Sequence, residues 1–144
     1  MKTQPLTATE QARIDDAIGA FIQMADDAGL LGDEPELDTP ELADELLIRW
    51  AAEPPKARLP DDLIATIVGA AIGDYLCEAL RLRWAVNSPD RAVGLAVEDT
   101  GEPLFSPFNL VRDRLPHAAE GVVPDLLEEI ADQTKDLHRM SRRI

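Results

Sequence analysis

Two carboxylates and an arginine, Asp74, Glu78 and Arg81, stand at helical spacing near the middle of the chain. At about 100° per residue they fall within a sector roughly 60° wide. Paired carboxylates beside an arginine can do acid–base work when burial or a neighbour displaces one pKa. On an exposed face the same residues would merely pair Glu78 with Arg81 across i,i+3, worth a few tenths of a kcal/mol. Trp84 follows three positions on, where it could rim a pocket, although a large aromatic is more often core. Arg112 and Arg114 flank Asp113 and point to different faces of a later short helix, one placed to pair with the central acids and the other to face solvent. The candidate binding residues are therefore Asp74, Glu78, Arg81, Trp84 and Arg114, around a cleft where a helix meets strands.

Other chemistries find little support. A nucleophilic cysteine needs a lowered pKa, whereas Cys77 lies deep in a helix between Asp74 and Glu78, which raise it. A lone cysteine also excludes an internal disulfide and a cysteine-built zinc site. His117 and His138 have neither i,i+4 nor HExxH spacing, and no GxSxG, Walker or Rossmann pattern occurs. The acidic loop GDEPELD lacks the alternating ligands and central glycine of a calcium loop. No catalytic residue, metal or cofactor is expected.

The element that must carry the polar strip is a long helix from Pro60 to Leu82. Pro60 opens it, and Asp61 and Asp62 suit its positive N-terminal end. Apolar pairs recur at Leu63/Ile64, Ile67/Val68, Ala71/Ile72, Tyr75/Leu76 and Ala79/Leu80, and no charge falls between Leu63 and Gly73. That half is expected to be buried on every side. Gly69 and Gly73, with Thr66, Ala70 and Cys77, form a small-residue face. Glycine costs about 1 kcal/mol against alanine in mid-helix, so two of them imply close packing by another element.

Thr7 and Glu10 have capping-box spacing and open a first helix bearing Ile14, Ile18, Phe21, Ile22 and Ala25 on one face, ended by Gly29 and Gly32. Thr39–Pro40 reads as the cap of a second, bearing Leu42, Leu46, Leu47 and Trp50. EPPKARLP is a stiff connector. After the central helix, Trp84, Val86, Val93, Leu95 and Val97 show strand alternation, with turns at Asn87–Asp90 and Asp99–Gly101. Pro103 to Phe105 makes a third strand. Ser106–Pro107 caps a short helix stopped by Pro116. Pro124–Asp125 begins a last helix with Leu127, Ile130, Leu137 and Ile144 on its face. The fold class is α+β: a long central helix packed with two N-terminal helices, a three-stranded antiparallel meander and two C-terminal helices. One domain spans residues 1–144, with an N-terminal helical part at about 7–53, a helix–meander–helix core at about 60–121 and a C-terminal helix at about 124–141.

The stretches IVGAAIGDYLCEALRLRW, GLAVED and PLFSPFNLVRDRLPHAAEG resemble a bacterial domain-of-unknown-function family, number 3806. In that family a helix with two spaced glycines and an acid runs into a tryptophan-bearing strand. Further strands lead to a phenylalanine–proline junction and a short helix ending in arginine. The matching positions are Gly69, Gly73, Asp74, Trp84, Phe105, Pro107 and Arg114, over about residues 60–121. Ser106, inserted between Phe105 and Pro107, departs from the pattern, and the N-terminal helices lie outside it. The resemblance implies a small α+β fold and a bacterial origin, and carries no activity with it.

With 28 acidic and 14 basic side chains the net charge is −14, the wrong sign for nucleic acid or an anionic membrane. The N-terminus lacks the apolar core of a signal peptide, so a cytoplasmic location is expected. The leading functional expectation is a non-catalytic protein-binding or regulatory module with a protein partner, for which the acidic balance favours a basic one. Its sharper form is an immunity-type inhibitor of a basic protein. A small-ligand binder or enzyme using the carboxylate and arginine residues is the alternative, and a homodimer through the C-terminal helix is a further one.

Overall fold

The computed structural model describes residues 3–31, 38–87, 92–97 and 103–141. Helix α1 (Ala8–Asp27) starts with the expected capping box: Thr7 Oγ1 accepts from the Glu10 N–H at 3.2 Å and Glu10 Oε1 accepts from the Thr7 N–H at 2.9 Å. Its buried face is Ile14, Ala17, Phe21 and Ala25, while Ile22 is 53% exposed. Ile22 follows Phe21 by 100°, which carries it off the narrow seam that α1 presents to the core. Gly29, at φ +73°, closes the helix in the left-handed conformation.

Helix α2 (Thr39–Ala52) is capped by Asp38 rather than Thr39: Asp38 Oδ1 accepts from the Glu41 N–H at 2.9 Å. Thr39 and Pro40 form the first turn instead, and a carboxylate at the cap also meets the positive end of the helix. Most of the acidic loop, residues 32–37, lies outside the described residues, as do Gly32 and the two turns between strands beyond Asn87 and Val97. The connector after α2 is fastened to it. Trp50 Nε1 donates to the Leu59 carbonyl at 2.9 Å, and the Arg58 guanidinium sits 4.2 Å above the Trp50 ring.

Helix α3 (Asp61–Leu80) is the centre of the molecule. From Ile64 to Gly73 every residue but Thr66 is buried. Leu63 is 45% exposed, so this half is open along one edge instead of buried all round. Thr66 manages that edge by donating its hydroxyl to the Asp62 carbonyl at 2.8 Å. By length and composition alone α3 could cross a membrane; here it is the core helix, with more than half of that stretch buried inside the protein.

A four-stranded antiparallel sheet follows in the order β1-β2-β3-β4, comprising β1 (Thr3–Gln4), β2 (Leu82–Asn87), β3 (Ala92–Val97) and β4 (Pro103–Phe105). The three expected strands form the meander, with Leu82 opposite Val97, Asn87 opposite Ala92 and Leu95 opposite Phe105. The N-terminal strand is an addition. Thr3 pairs with Asn87 along the β2 edge, and a two-residue strand has no alternation to reveal it.

Helix α4 (Pro107–Arg114) is capped by Ser106, whose hydroxyl accepts from the Asn109 N–H at 3.4 Å. It passes through a 3-10 turn (Leu115–Glu120) before α5 (Val123–Ser141). The buried face of α5 is Val123, Leu126, Ile130 and Thr134, with Leu127 partly covered. The side chain of Leu137 and the whole of Ile144 lie outside the described residues. Asp44 of α2 reaches across to cap α5, its Oδ1 accepting from the Val122 and Val123 N–H groups at 3.0 and 3.1 Å.

One apolar core joins residues of all five helices with Leu82 and Leu95 of the sheet. A smaller cluster of Ile14, Ala17 and Ala70 lies beside it, and Trp84 packs against both. The two central glycines admit α4 and the sheet. A Cβ on Gly69 would stand 2.9 Å from Phe108 Cα, and one on Gly73 would stand 2.4 Å from the Trp84 ring.

Candidate functional site

The second half of α3 carries the polar strip to the surface. Asp74 and Glu78, one turn apart, are both exposed. The Asp74 carboxyl is pushed above its ordinary value, first by partial burial and then by the like charges of Glu78 and of Asp15 on α1. Asp15 is thus a third member of the group. The sequence offered no sign of it, because it joins only through the packing of α1 on α3. Asp15 accepts from Gln11 Nε2 at 3.0 Å. Among the described residues no lysine or arginine forms an ion pair with Asp15, Asp74 or Glu78.

Arg81 does not supply that cation by pairing with Glu78 across i,i+3. It is the C-cap of α3 in the left-handed conformation, φ 55° and ψ 51°, its N–H bonded to the Cys77 carbonyl. A left-handed backbone sends the side chain away from the helical rows, so the i,i+3 geometry is lost. The conformation follows from economy of chain, because only Arg81 separates the last residue of α3 from the first of β2.

Trp84 is a packing wedge rather than a pocket rim. Its ring lies against Gly73 and stacks on Phe108 with centroids 5.6 Å apart and planes inclined by 24°. Its buried Nε1 has no hydrogen-bond partner among the described residues. Arg114 is engaged elsewhere: Nη2 donates to Glu129 of α5 and Nη1 to the Leu110 carbonyl. Arg112 makes the pair with the central helix, Nε to Asp62 Oδ1 at 3.1 Å. One of the two arginines therefore meets α3, as their opposed directions imply, but the other meets α5 instead of solvent.

Of the five candidates, then, Asp74 and Glu78 stand together, Arg81 adjoins them, Trp84 lies within the packing and Arg114 is tied to α5. Among the described residues, none of the three main surface cavities is lined by any of the five. The first, of about 450 Å³, lies among α1, α3, β3 and α4 and has Glu10, Arg13 and Arg112 in its wall. The second, of about 360 Å³, lies beside Trp50 with Asp27, Arg49 and Glu53. The third, of about 450 Å³, is lined by Asp38, Glu41, Asp44, Glu45 and Tyr75. Two of those four carboxylates already cap helices, and Glu45 pairs with Arg49.

Cys77 is partly buried on α3, and the exposed His117 has Nδ1 3.9 Å from Glu120 Oε2. Among the described residues no group of three His, Cys, Asp or Glu side chains is placed to hold a metal ion. No family model, curated protein or solved structure matches the chain.

Proposed function

We propose that this protein is a non-catalytic binding module that recognises the basic surface of another protein through the carboxylate face of Asp15, Asp74 and Glu78. The observation that carries the reading is the placement of exposed Asp74 and Glu78 one turn apart on α3 with Asp15 of α1 near enough to add its charge, an arrangement that, with partial burial, raises the Asp74 pKa. The free protein holds these carboxylates close together at an energetic cost. A lysine or arginine delivered by a partner would relieve the repulsion and be partly desolvated on binding, where charge pairs are strongest. The net charge of −14 adds long-range attraction that speeds encounter with a basic partner. In the sharper form of the reading, the partner is a basic enzyme whose own site the acidic face covers. Membership of family 3806 is proposed alongside, supported by the way Gly69 and Gly73 seat Phe108, Trp84 and Pro107.

The test compares lysate proteins retained on three immobilised chains: wild type, D15N/D74N/E78Q, and a charge-matched control, D26N/E53Q/D113N. The reading expects a partner retained by wild type and control, held about tenfold more weakly by the first variant, and released as salt rises toward roughly 0.5 M. Equal retention by both variants, or binding indifferent to salt, would overturn it.

A further inference from the structure

The chain has twice as many acids as bases, yet one cavity reverses that balance. Among the described residues, the charged side chains lining the cavity among α1, α3, β3 and α4 are Arg13 and Arg112 against a single carboxylate, Glu10. Among the same residues, the cavity beside Trp50 has one arginine to two carboxylates, and the one beside Tyr75 has four carboxylates and no base. The two arginines come from α1 and α4, 99 positions apart (112 − 13), so this convergence is a product of the fold.

The chemistry of the wall is specific. Arg13 is exposed and makes no ion pair or hydrogen bond among the described residues. Arg112 pairs through Nε with Asp62 Oδ1 at 3.1 Å, both side chains being solvent-exposed, so its guanidinium stays accessible from the cavity. Glu10 is held at the start of α1, where its carboxylate accepts from the Thr7 N–H. The rest of the wall includes Ile14, Ala17, Val93 and Phe108, an apolar surface backed by the Trp84–Phe108 stack. A volume of about 450 Å³ falls in the range of small-molecule sites, which pair apolar walls with a few fixed polar groups.

We propose that this cavity binds a small amphipathic anion: a carboxylate or phosphate monoester held by Arg13 and Arg112, with a ring or short alkyl body against Ile14, Val93 and Phe108. Guanidinium groups match both head groups through paired N–H donors. The apolar wall supplies the affinity that a bare anion lacks. This site is separate from the Asp15–Asp74–Glu78 face, so either proposal can fail alone.

The probes are octanoate and phenyl phosphate, titrated by calorimetry and by the fluorescence of Trp84 in a Trp50→Phe background. Inorganic phosphate and 1-octanol serve as head-only and body-only controls. Saturable binding of at least one anionic probe is expected, weakened at least tenfold by R13Q and by R112Q. Thr66→Tyr, a surface change that fills the mouth, is expected to abolish it without altering the fold seen by circular dichroism. Which probe binds decides between carboxylate and phosphate. Absence of saturable binding for both anions, or binding of 1-octanol as tight as that of octanoate and insensitive to R13Q, would overturn the proposal.

Discussion

Replacing Gly73 by alanine tests whether the close seating of the sheet and α4 on α3 governs stability. Alanine is favoured over glycine in a helix by about 1 kcal/mol, so on propensity alone the change stabilises. The structure sets a larger opposing effect. The new Cβ would lie 2.4 Å from Trp84 Cζ2 and Cη2 and 3.1 Å from Pro107 Cγ. Carbon atoms pack at about 3.5–4.0 Å, so the indole must retreat by roughly 1 Å. It has little room, since it is stacked on Phe108 and packed against both apolar clusters. Overpacking of this kind costs about 1–3 kcal/mol, which offsets the propensity gain and leaves G73A less stable by up to about 2 kcal/mol. Gly69→Ala meets Phe108 backbone atoms at 2.9 and 3.0 Å, so α4 itself must move and a similar net loss follows. Gly19, on the exposed side of α1, has nothing within 4 Å of a built Cβ, so G19A should gain up to about 1 kcal/mol. Urea unfolding of the three variants reads these differences as shifts in midpoint at constant slope. Because the contact atoms lie on the six-membered ring of the indole, G73A should cost about 1 kcal/mol less in a Trp84→Phe background. G73A as stabilising as G19A, or a penalty unchanged by W84F, would refute the steric account.

Two further outcomes follow from individual side chains. Asp44→Ala leaves the Val122 and Val123 N–H groups without their acceptor and should destabilise by about 1–2 kcal/mol, while Asn, which keeps an acceptor oxygen, should recover much of this. Thermal melts of D44A and D44N give the comparison, with faster amide exchange at Val122 and Val123 as the local signature. Asp74→Asn removes a carboxylate whose folded pKa is raised above 3.8, and whose ionised form therefore opposes folding at neutral pH. D74N should be more stable than wild type at pH 7 by about 0.2–0.5 kcal/mol, the scale of an exposed like-charge pair one turn apart. The advantage should shrink as pH falls through the raised folded pKa toward the unfolded value, because wild-type Asp74 then takes up its proton preferentially in the folded state. Urea midpoints at pH 7 and 5 measure it, and an advantage that grew on acidification would contradict the sign.

Features set by neighbours in the chain were legible before the structure. The capping box at Thr7 and Glu10, the Ser106 cap, the breadth of the α3 stripe and the need for a close neighbour at Gly69 and Gly73 all depend on residues within a few positions of one another. The identity of that neighbour was not legible, because Phe108 and Trp84 reach the glycines only through tertiary packing. Asp44 carried no signal in the sequence, because its oxygen serves a backbone N–H 78 positions later. The candidate site shows the same limit. Spacing placed Asp74 and Glu78 together, but it assumed that Arg81 continues the helix, and the left-handed backbone there removes it from the row. Arg114 was grouped with the cleft residues because spacing says nothing of where α5 brings Glu129, and Arg13 drew no notice until the fold brought it to the wall it shares with Arg112.

The left-handed Arg81 also has a mechanical meaning. Its single residue connects a helix of about 30 Å to an interior strand of the sheet, with no loop to absorb movement. The direction in which α3 ends therefore fixes where β2 begins, and the whole meander takes its position from the last turn of the helix. The acidic face at one end of α3 and the cavity along its first half ride on the same rigid shaft.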